Sequence, residues 1–221
     1  MIRLFLLPLM ALAFSSCQQS SLDPAATAIV KDVRLPKGMP WYSRFASHSY
    51  VDFRSDPASP WRRIEIVNKD SELLLHPVTE EQVSQTHRWG NPVHLVSQST
   101  HDGRDLAAQI TAFAKTYDAS IYKPWPGPNS NTFTDALLRN VKGLSGVLDH
   151  NGVGKDDSWR AGSTAGGTGL EIQSPLLGVE AGLKEGVNLN LMGLTAGVGI
   201  WPPAVKIPFI PRLPFRSTMK D

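Results

Sequence analysis

The sequence predicts an α+β protein, in which an antiparallel sheet packs with helices and carries a Gly/Pro-rich β-hairpin extension at the C-terminal end. Three observations support this class: alternation of period two in the first half, two apolar stripes of helical period in the middle, and abundant turn-forming residues. The 221 residues include 18 glycines and 17 prolines, which is typical of a fold rich in strands and turns. The length suits one domain, or one domain with an appendage.

The chain begins with a segment typical of a bacterial lipoprotein signal. Arg3 supplies a positive charge, an apolar run continues through Phe14, and two serines then precede Cys17, the only cysteine. The apolar run is too short for a membrane-spanning helix, which needs about 20 residues. We therefore predict a signal peptide over 1–16 and lipid attachment, including palmitate, at Cys17. An ordinary secretory signal followed by a free cysteine is the alternative.

The organisation after the signal follows from composition. Residues 18–28 are mostly Gln, Ser, Ala and Pro, which are too polar and small to pack, so we predict a tether over 17–40. An α+β domain is predicted over 41–158. A Gly/Pro-rich β extension that packs on this domain is predicted over 159–221.

Alternation and composition predict the strands of the sheet. In the segment 47–53, Ser49, Val51 and Phe53 lie on one face, and His48, Tyr50 and Asp52 lie on the other. Residues 61–67 follow a proline-rich turn and are rich in aromatic and β-branched side chains, as a returning strand would be. Segments 73–76 and 93–96 are further candidates. Arg62 and Arg63 beside Glu65 are typical of a solvated strand face.

Two helices are predicted between the sheet and the extension. Asp102 or Asp105 can cap the first, whose apolar stripe is formed by Leu106, Ile110, Phe113, Ala114 and Tyr117. The second begins near Asn129 or Ser130, after a proline-rich loop. Its apolar residues recur every fourth position, at Phe133, Leu137 and Val141.

The extension contains a short internal repeat, because residues 176–183 are echoed by residues 191–198. Lys184, Glu185 and Gly186 form a plausible turn between the copies, which predicts a β-hairpin or a small meander. Contact of this hairpin with a membrane is an alternative to a sheet extension, although no apolar run reaches spanning length. The prolines after residue 201 forbid a regular helix and favour an extended strap over the domain surface.

Candidate chemistry lies where the second helix begins. A helix N-terminus favours developing negative charge, which would suit a nucleophile at Ser130. Asn and Ser are equally the residues that any helix uses for capping. Catalysis would further require a general base within hydrogen-bond reach, and His48 is the best-placed candidate.

The segment Trp125-Pro-Gly-Pro-Asn-Ser-Asn-Thr-Phe133 resembles the signature of an uncharacterised bacterial domain-of-unknown-function family. It is more remotely similar to circularly permuted NlpC-type papain-like enzymes, which carry Asn-Cys-Asn or Asn-Cys-Glu at this helix. The resemblance implies a permuted papain-like fold, with His48 as base, Ser130 in the nucleophile position and Glu65 orienting the histidine. Asn129 and Asn131, which flank the serine, are the corresponding binding residues.

The replacement of cysteine by serine separates two hypotheses. A papain-like site uses a thiolate, and the higher pKa of a serine hydroxyl forbids that resting ion pair. The protein is then either a non-catalytic binding or structural module of the cell envelope, or a Ser-His acyl or amide hydrolase or transferase acting on an envelope substrate.

Charge and histidine spacing limit the classes of partner and ligand that the sequence predicts. Lys and Arg total 22 against 20 acidic residues, and they are scattered, so nucleic acid is not an expected partner. His87, His94 and His101 match no zinc motif, and we predict neither a metal nor a cofactor. The expected partners are a membrane, through the lipid anchor, and a cell-envelope component. The expected location faces the periplasm, on the outer rather than the inner membrane.

Overall fold

Two antiparallel sheets form the framework of the molecule. The computed structural model describes residues 21–39, 43, 45–67, 72–213 and 218–219, so Cys17 and the predicted signal peptide lie outside the described residues. The first sheet is six-stranded, in the order β4-β3-β2-β1-β6-β5. Its strands are β1 (Ala28–Arg34), β2 (Ser47–Phe53), β3 (Trp61–Val67), β4 (Glu72–Val78), β5 (His87–Arg88) and β6 (Asn91–Ser99).

Four of these strands confirm strands that were predicted from the sequence. The predicted bounds 47–53 and 61–67 are those of β2 and β3, and segments 73–76 and 93–96 lie inside β4 and β6. Residues 47–53 were predicted from period-two alternation, and residues 61–67 from their aromatic and β-branched side chains after a proline-rich turn.

The segment 28–34, which we expected to belong to the tether over 17–40, forms strand β1 instead. This strand pairs with β2 on one side and with β6 on the other. The sequence did not indicate a central strand here because Lys31 and Asp32 are charged, yet both residues are buried. The core already includes Ala26, so the folded domain begins well before residue 41.

Three helices accompany the first sheet: α1 (Glu80–Ser84), α2 (Gly103–Thr116) and α3 (Ser130–Asn140). The two predicted helices are confirmed with their caps, because Asp102 caps α2 and Asn129 caps α3 through side-chain oxygens that accept backbone N–H groups. Within the described residues, no helix is long and apolar enough to cross a membrane.

The two faces of the first sheet are covered differently. Helices α2 and α3 pack on one face in the main apolar core, whose members include Val30, Val51, Phe53, Ile64, Leu106, Ile110, Phe133 and Leu137. The opposite face carries a buried row of polar side chains from β1, β2 and β3, which are Lys31, His48, Tyr50, Asp52, Arg63 and Glu65. The α+β class is thereby confirmed.

The predicted hairpin extension is a larger element, a second six-stranded antiparallel sheet. Its strands are β7 (Arg160–Ser163), β8 (Gly169–Gln173), β9 (Leu177–Gly182), β10 (Gly186–Leu191), β11 (Leu194–Gly199) and β12 (Ala204–Lys206). The strands follow one another in sequence order across the sheet, as a meander does. The first copy of the repeat contains β9 and the second includes most of β11, and these two strands both pair with β10 rather than with each other.

The C-terminal segment returns to the first sheet. Val205 and Leu213 bridge through both backbone hydrogen bonds, and the side-chain amide of Asn151 holds the carbonyl of Ile210 at 2.9 Å. Met219 is buried, and its backbone N–H donates to the carbonyl of Val93. The described part of the tail thus packs against the domain, as the predicted strap would.

Candidate functional site

His48 and Glu65 form a buried hydrogen-bonded pair. Nε2 of His48 lies 2.8 Å from Oε2 of Glu65, and both side chains are almost completely buried. They meet because β2 and β3 are paired neighbours and both residues project from the same face of the sheet. The contact expected between these two predicted residues is present.

Arg88 and two aromatic rings enclose this pair. The guanidinium of Arg88 donates to both carboxylate oxygens of Glu65, at 2.8 and 2.9 Å. It also lies over the rings of Tyr50 and Trp89. The His48 ring is stacked on Tyr50 and stands 5.4 Å from the centre of a Trp89 ring. The imidazole is therefore surrounded by protein.

The environment fixes the charges of the pair. Burial alone would raise the pKa of Glu65, but hydrogen bonds from His48 and Arg88 hold it far below its usual value. Burial lowers the pKa of His48, and the attraction of Glu65 offsets only part of that effect. At neutral pH a neutral imidazole therefore faces a carboxylate. Because a carboxylate only accepts hydrogen bonds, Nε2 carries the proton.

The helix start at Ser130 is built by reciprocal hydrogen bonds. The side-chain oxygen of Asn129 accepts the backbone N–H groups of Asn131 and Thr132. In return, the hydroxyl of Thr132 accepts the N–H of Asn129 at 3.0 Å. The amide nitrogen of Asn129 donates to the carbonyl of Val153 at 2.9 Å. These bonds explain why a helix begins after the proline-rich loop.

Asn131 attaches this helix to strand β2. Its Oδ1 accepts the N–H of Ser49 at 3.0 Å, and its Nδ2 donates to the carbonyl of Ser47 at 2.9 Å. The hydroxyl of Thr134 donates to the carbonyl of Ser49 at 3.1 Å. Strand β3 pairs with β2 only over residues 51–53, so α3 satisfies the backbone that β3 does not reach. The amides of the predicted binding residues Asn129 and Asn131 are thus used within the fold.

Ser130 is not brought to His48. Helix α3 packs on the face of the sheet that carries Val51 and Phe53, whereas His48 projects from the opposite face. In the part of the chain that the structure describes, no hydrogen bond joins Ser130 to His48 or to Glu65. Of the set expected from the resemblance, the structure therefore brings His48 and Glu65 together and does not join Ser130 to them.

A charged cluster that the sequence analysis missed joins α3 to the second sheet. Arg139 binds both oxygens of Asp135, at 2.7 and 3.1 Å, and also contacts the Glu171 carboxylate. Arg160 donates to the same Glu171 at 2.9 Å. The full cluster consists of Asp135, Arg139, Lys155, Asp156, Arg160, Glu171 and Glu180. The one local signal in the sequence is the spacing of four between Asp135 and Arg139.

The carboxylates of this cluster are balanced by cations of the chain itself. Oxygen atoms of Asp156, Glu171 and Glu180 lie within 4.8 Å of one another, a spacing that could suit a metal ion. However, Nζ of Lys155 is 2.6 Å from Asp156 and 3.9 Å from Glu180. Burial alone would lower the pKa of Lys155, but these carboxylates raise it well above the usual value, so it stays charged. The arrangement fits an ion-pair network rather than a metal site.

Two cavities lie away from the predicted site. One of about 280 Å³ is lined by residues that include Ser97, His150 and Trp201. The other, of about 340 Å³, is lined by residues that include His94 and Asn151. Neither lining contains Ser130, His48 or Glu65.

A comparison with protein families covers the segment that holds the predicted site. A family model described as "Protein of unknown function (DUF3750)" matches residues 28–157, which is more than half of the chain. The chain belongs to the DUF3750 family. No curated protein and no solved structure matches it. Membership of an uncharacterised domain-of-unknown-function family, which the Trp-Pro-Gly-Pro segment indicated, is confirmed.

The DUF3750 match covers the first sheet but not the second. It begins at the first residue of β1, includes the first sheet and all three described helices, and ends shortly before β7. His48, Glu65 and Ser130 lie inside the DUF3750 segment. The second sheet and its Glu171 lie beyond the match, so the charged cluster joins the DUF3750 segment to a following element.

Proposed function

We propose that this DUF3750 protein is a non-catalytic binding or structural module of the bacterial cell envelope. It is held by lipid on Cys17 to a membrane facing the periplasm, the outer membrane in preference to the inner. The observation that carries the non-catalytic role is that, within the described residues, His48 is hydrogen-bonded to Glu65 and not to Ser130. A serine hydroxyl needs a base within hydrogen-bond reach to act as a nucleophile. In the described part of the chain, the unprotonated Nδ1 of His48, which would be that base, receives no hydrogen bond from the Ser130 hydroxyl.

We further infer a distant relationship to the circularly permuted NlpC-type papain-like enzymes. The support is the order of features along the chain: a histidine on one strand, a carboxylate on the next, and an Asn-Ser-Asn helix start. In this proposal Ser130 replaces the reactive cysteine of the ancestor. The His48–Glu65 contact persists because it stabilises the interior of the sheet.

A fluorophosphonate probe tests the non-catalytic role. Such probes react with serine hydroxyls that a base activates, so we expect wild type to be labelled no more than Ser130→Ala. The alternative of a Ser-His acyl or amide hydrolase is favoured by the intact His48–Glu65 pair. That alternative requires labelling of wild type that disappears in both Ser130→Ala and His48→Ala, and this result would replace our proposal.

Metabolic labelling tests the anchor. Cells expressing the full chain are fed an alkyne analogue of palmitate, and we expect the protein to incorporate it and to sediment with membranes. Cys17→Ser removes the acceptor sulfur and serves as the matched control, because it changes one atom of the side chain. Absence of label from wild type, or equal label in Cys17→Ser, would contradict the lipid anchor.

A further inference from the structure

The second sheet turns its apolar side outward. Its inner side is polar and buried, with Glu171, Gln173, Glu180, Asn188 and Asn190 directed towards the rest of the protein. The alternate residues form what we call the apolar face. Nine of its members are each 47–70% exposed, namely Leu170, Ile172, Leu177, Val179, Val187, Leu189, Leu191, Val198 and Val205. A sheet that covers a core normally shows the opposite pattern.

The apolar face is continuous across strands β8 to β12. Leu189 on β10 lies opposite Val179 on β9 and opposite Ala196 on β11. Val198 lies opposite Val205 on β12, and no outward position on these five strands carries a charge. Five strands spaced by about 4.8 Å span about 19 Å. A contiguous apolar patch of this size on a soluble protein marks an interaction surface.

Packing on the inner side fixes this orientation. A Cβ at Gly178 would lie only 1.4 Å from the side-chain oxygen of Gln173, and a Cβ at Gly197 would lie 2.3 Å from that of Asn188. Glycines therefore make room for the inward polar side chains. A shift of one residue in register would place those side chains in solvent and the aliphatic ones against the charged cluster.

We infer that the apolar face docks on a lipid surface. Its side chains are aliphatic and offer nothing for a polar partner to hydrogen-bond. Exposed tryptophans stand at the two ends of the sheet: Trp159, 82% exposed, precedes β7, and Trp201, 69% exposed, follows β11. The two tryptophans lie at opposite ends of the strands. Trp159 is next to Arg160, which pairs with Gln173 at the end of β8. The backbone N–H of Trp201 donates to the carbonyl of Leu183, which follows the other end of β9. Tryptophan at both margins of an aliphatic surface is typical of a membrane interface.

The position of the N-terminal segment supports the same occupant, and this step depends on the lipid anchor proposed above. The carbonyl of Ser21 accepts a hydrogen bond from Gln98 on β6. Cys17 precedes Ser21 by four residues, which span at most about 14 Å. Lipid on Cys17 would therefore hold the domain that carries the apolar face close to a membrane.

Cations at the Trp201 end of the apolar face complement lipid headgroups. Lys184 is exposed in the turn between β9 and β10, beside the Trp201 contact. Arg212 holds the carbonyl of Pro202 at 2.8 Å and so places its charge near Trp201. Basic side chains next to an inserted apolar surface attract anionic headgroups.

Vesicle flotation of an unlipidated chain tests the inference. The mature chain with Cys17→Ser, which begins at residue 17 and retains every described residue, is mixed with vesicles of equal parts phosphatidylethanolamine and phosphatidylglycerol. We expect it to float with the vesicles. Val179→Glu combined with Leu189→Glu, at the centre of the apolar face, should lower the bound-to-free ratio at least about tenfold. Ile121→Glu, at an exposed apolar residue on the loop before α3, should leave that ratio within about twofold.

A second double variant distinguishes loss of lipid binding from unfolding of the second sheet. Val179→Thr with Leu189→Thr preserves strand-forming side chains and should weaken flotation in the same direction. Quenching of tryptophan fluorescence by brominated lipid gives the orientation. Trp201→Phe should remove more of the quenching than Trp125→Phe, which changes an exposed tryptophan of the α2–α3 loop.

Three results would overturn the lipid surface as occupant. These are no flotation of the starting chain, flotation unchanged by both face variants, or a dimer in sedimentation equilibrium that the face variants dissociate. The last would assign the apolar face to a second copy of the chain. Every chain in the flotation test carries Cys17→Ser, so the test does not depend on lipid attachment. A negative flotation result would therefore not affect the palmitate labelling, and a negative labelling result would not affect the flotation.

Discussion

His48 and Glu65 show how burial decides what an ionisable residue can do. The carboxylate of Glu65 is held by hydrogen bonds from His48 and Arg88 in a region from which water is largely excluded. The neighbouring Lys31 and Asp52 form a second buried pair. A buried charge that loses its partner is strongly destabilising, so these contacts are maintained by stability alone. A catalytic role is not needed to explain them.

Glu65→Gln should destabilise the fold at neutral pH. The substitution leaves the guanidinium of Arg88 without its bidentate partner, which costs about 3–5 kcal/mol of the free energy of unfolding. The pKa of Glu65 is lowered by folding, so its contribution is present above the unfolded value and is lost on acidification. The difference between wild type and variant should therefore shrink as the pH falls below about 4.5. Urea unfolding measures both effects.

The matched control for that experiment is Glu81→Gln, at an exposed position on α1. It should change the free energy of unfolding by less than about 0.5 kcal/mol. A similar loss in both variants would show that Glu65 gains nothing from its buried partners.

Local signals predicted the position of these residues but not their surroundings. Alternation correctly placed His48 apart from Val51, and the asparagine cap correctly placed Ser130 at a helix start. Arg63 and Glu65 were interpreted as a solvated face, yet both are buried. The burial comes from α1, Arg88 and Trp89, which are distant in sequence. Period-two alternation identifies the two faces of a strand and does not say what covers each.

Strand β1 shows the same principle at the scale of an element. Its sequence, Ala28–Arg34, carries two charged residues in its middle, and this composition favours exposed chain. The strand forms because β2 and β6 supply hydrogen bonds on both sides and Asp52 balances Lys31. Propensity is overridden by tertiary contacts, which a single sequence does not display. The cap of α3, by contrast, is encoded within four adjacent residues and was predicted.

Asn131→Ala should weaken the attachment of α3 to β2. The change removes the acceptor for the Ser49 N–H and the donor for the Ser47 carbonyl, and leaves buried backbone groups without partners. We expect a loss of about 3 kcal/mol in the free energy of unfolding. Ser130→Ala, one residue earlier on the same turn, is the control and should stay within about 1 kcal/mol. Equal losses would mean that the Asn131 bonds do not join helix and strand.

Strand β12 contributes a pH dependence through Lys206. Burial lowers the pKa of this lysine to about 8, below its value of about 10.4 in an unfolded chain. Between these two values the unfolded state binds more protons, so the free energy of unfolding should rise with pH. The slope approaches about 1.4 kcal/mol per pH unit. Lys206→Met should abolish this increment in urea unfolding between pH values of about 8 and 10, and an unchanged slope would contradict the assignment.

The whole molecule consists of two sheets with different sources of stability. The first sheet is held by the apolar core under α2 and α3. The inner side of the second sheet is polar, so its link to the DUF3750 segment depends on ion pairs, chiefly those of Arg139 and Arg160 with Glu171. This division explains how a sheet can present aliphatic side chains outward and still hold a defined position.

Glu171→Ala should therefore loosen the second sheet without unfolding the first. Removal of this carboxylate leaves two partly buried guanidinium groups short of a partner, at a cost of about 3 kcal/mol. Local opening of β8 to β11 should become roughly 100-fold more frequent, and hydrogen exchange followed by mass spectrometry measures it strand by strand. Amides of β2 and β3 should keep their wild-type exchange rates. The control is Lys184→Ala, in an exposed turn of the second sheet, which should leave the exchange rates of both sheets unchanged. A uniform acceleration in both sheets would show that they unfold as one unit and that the ion pairs are not the joint between them.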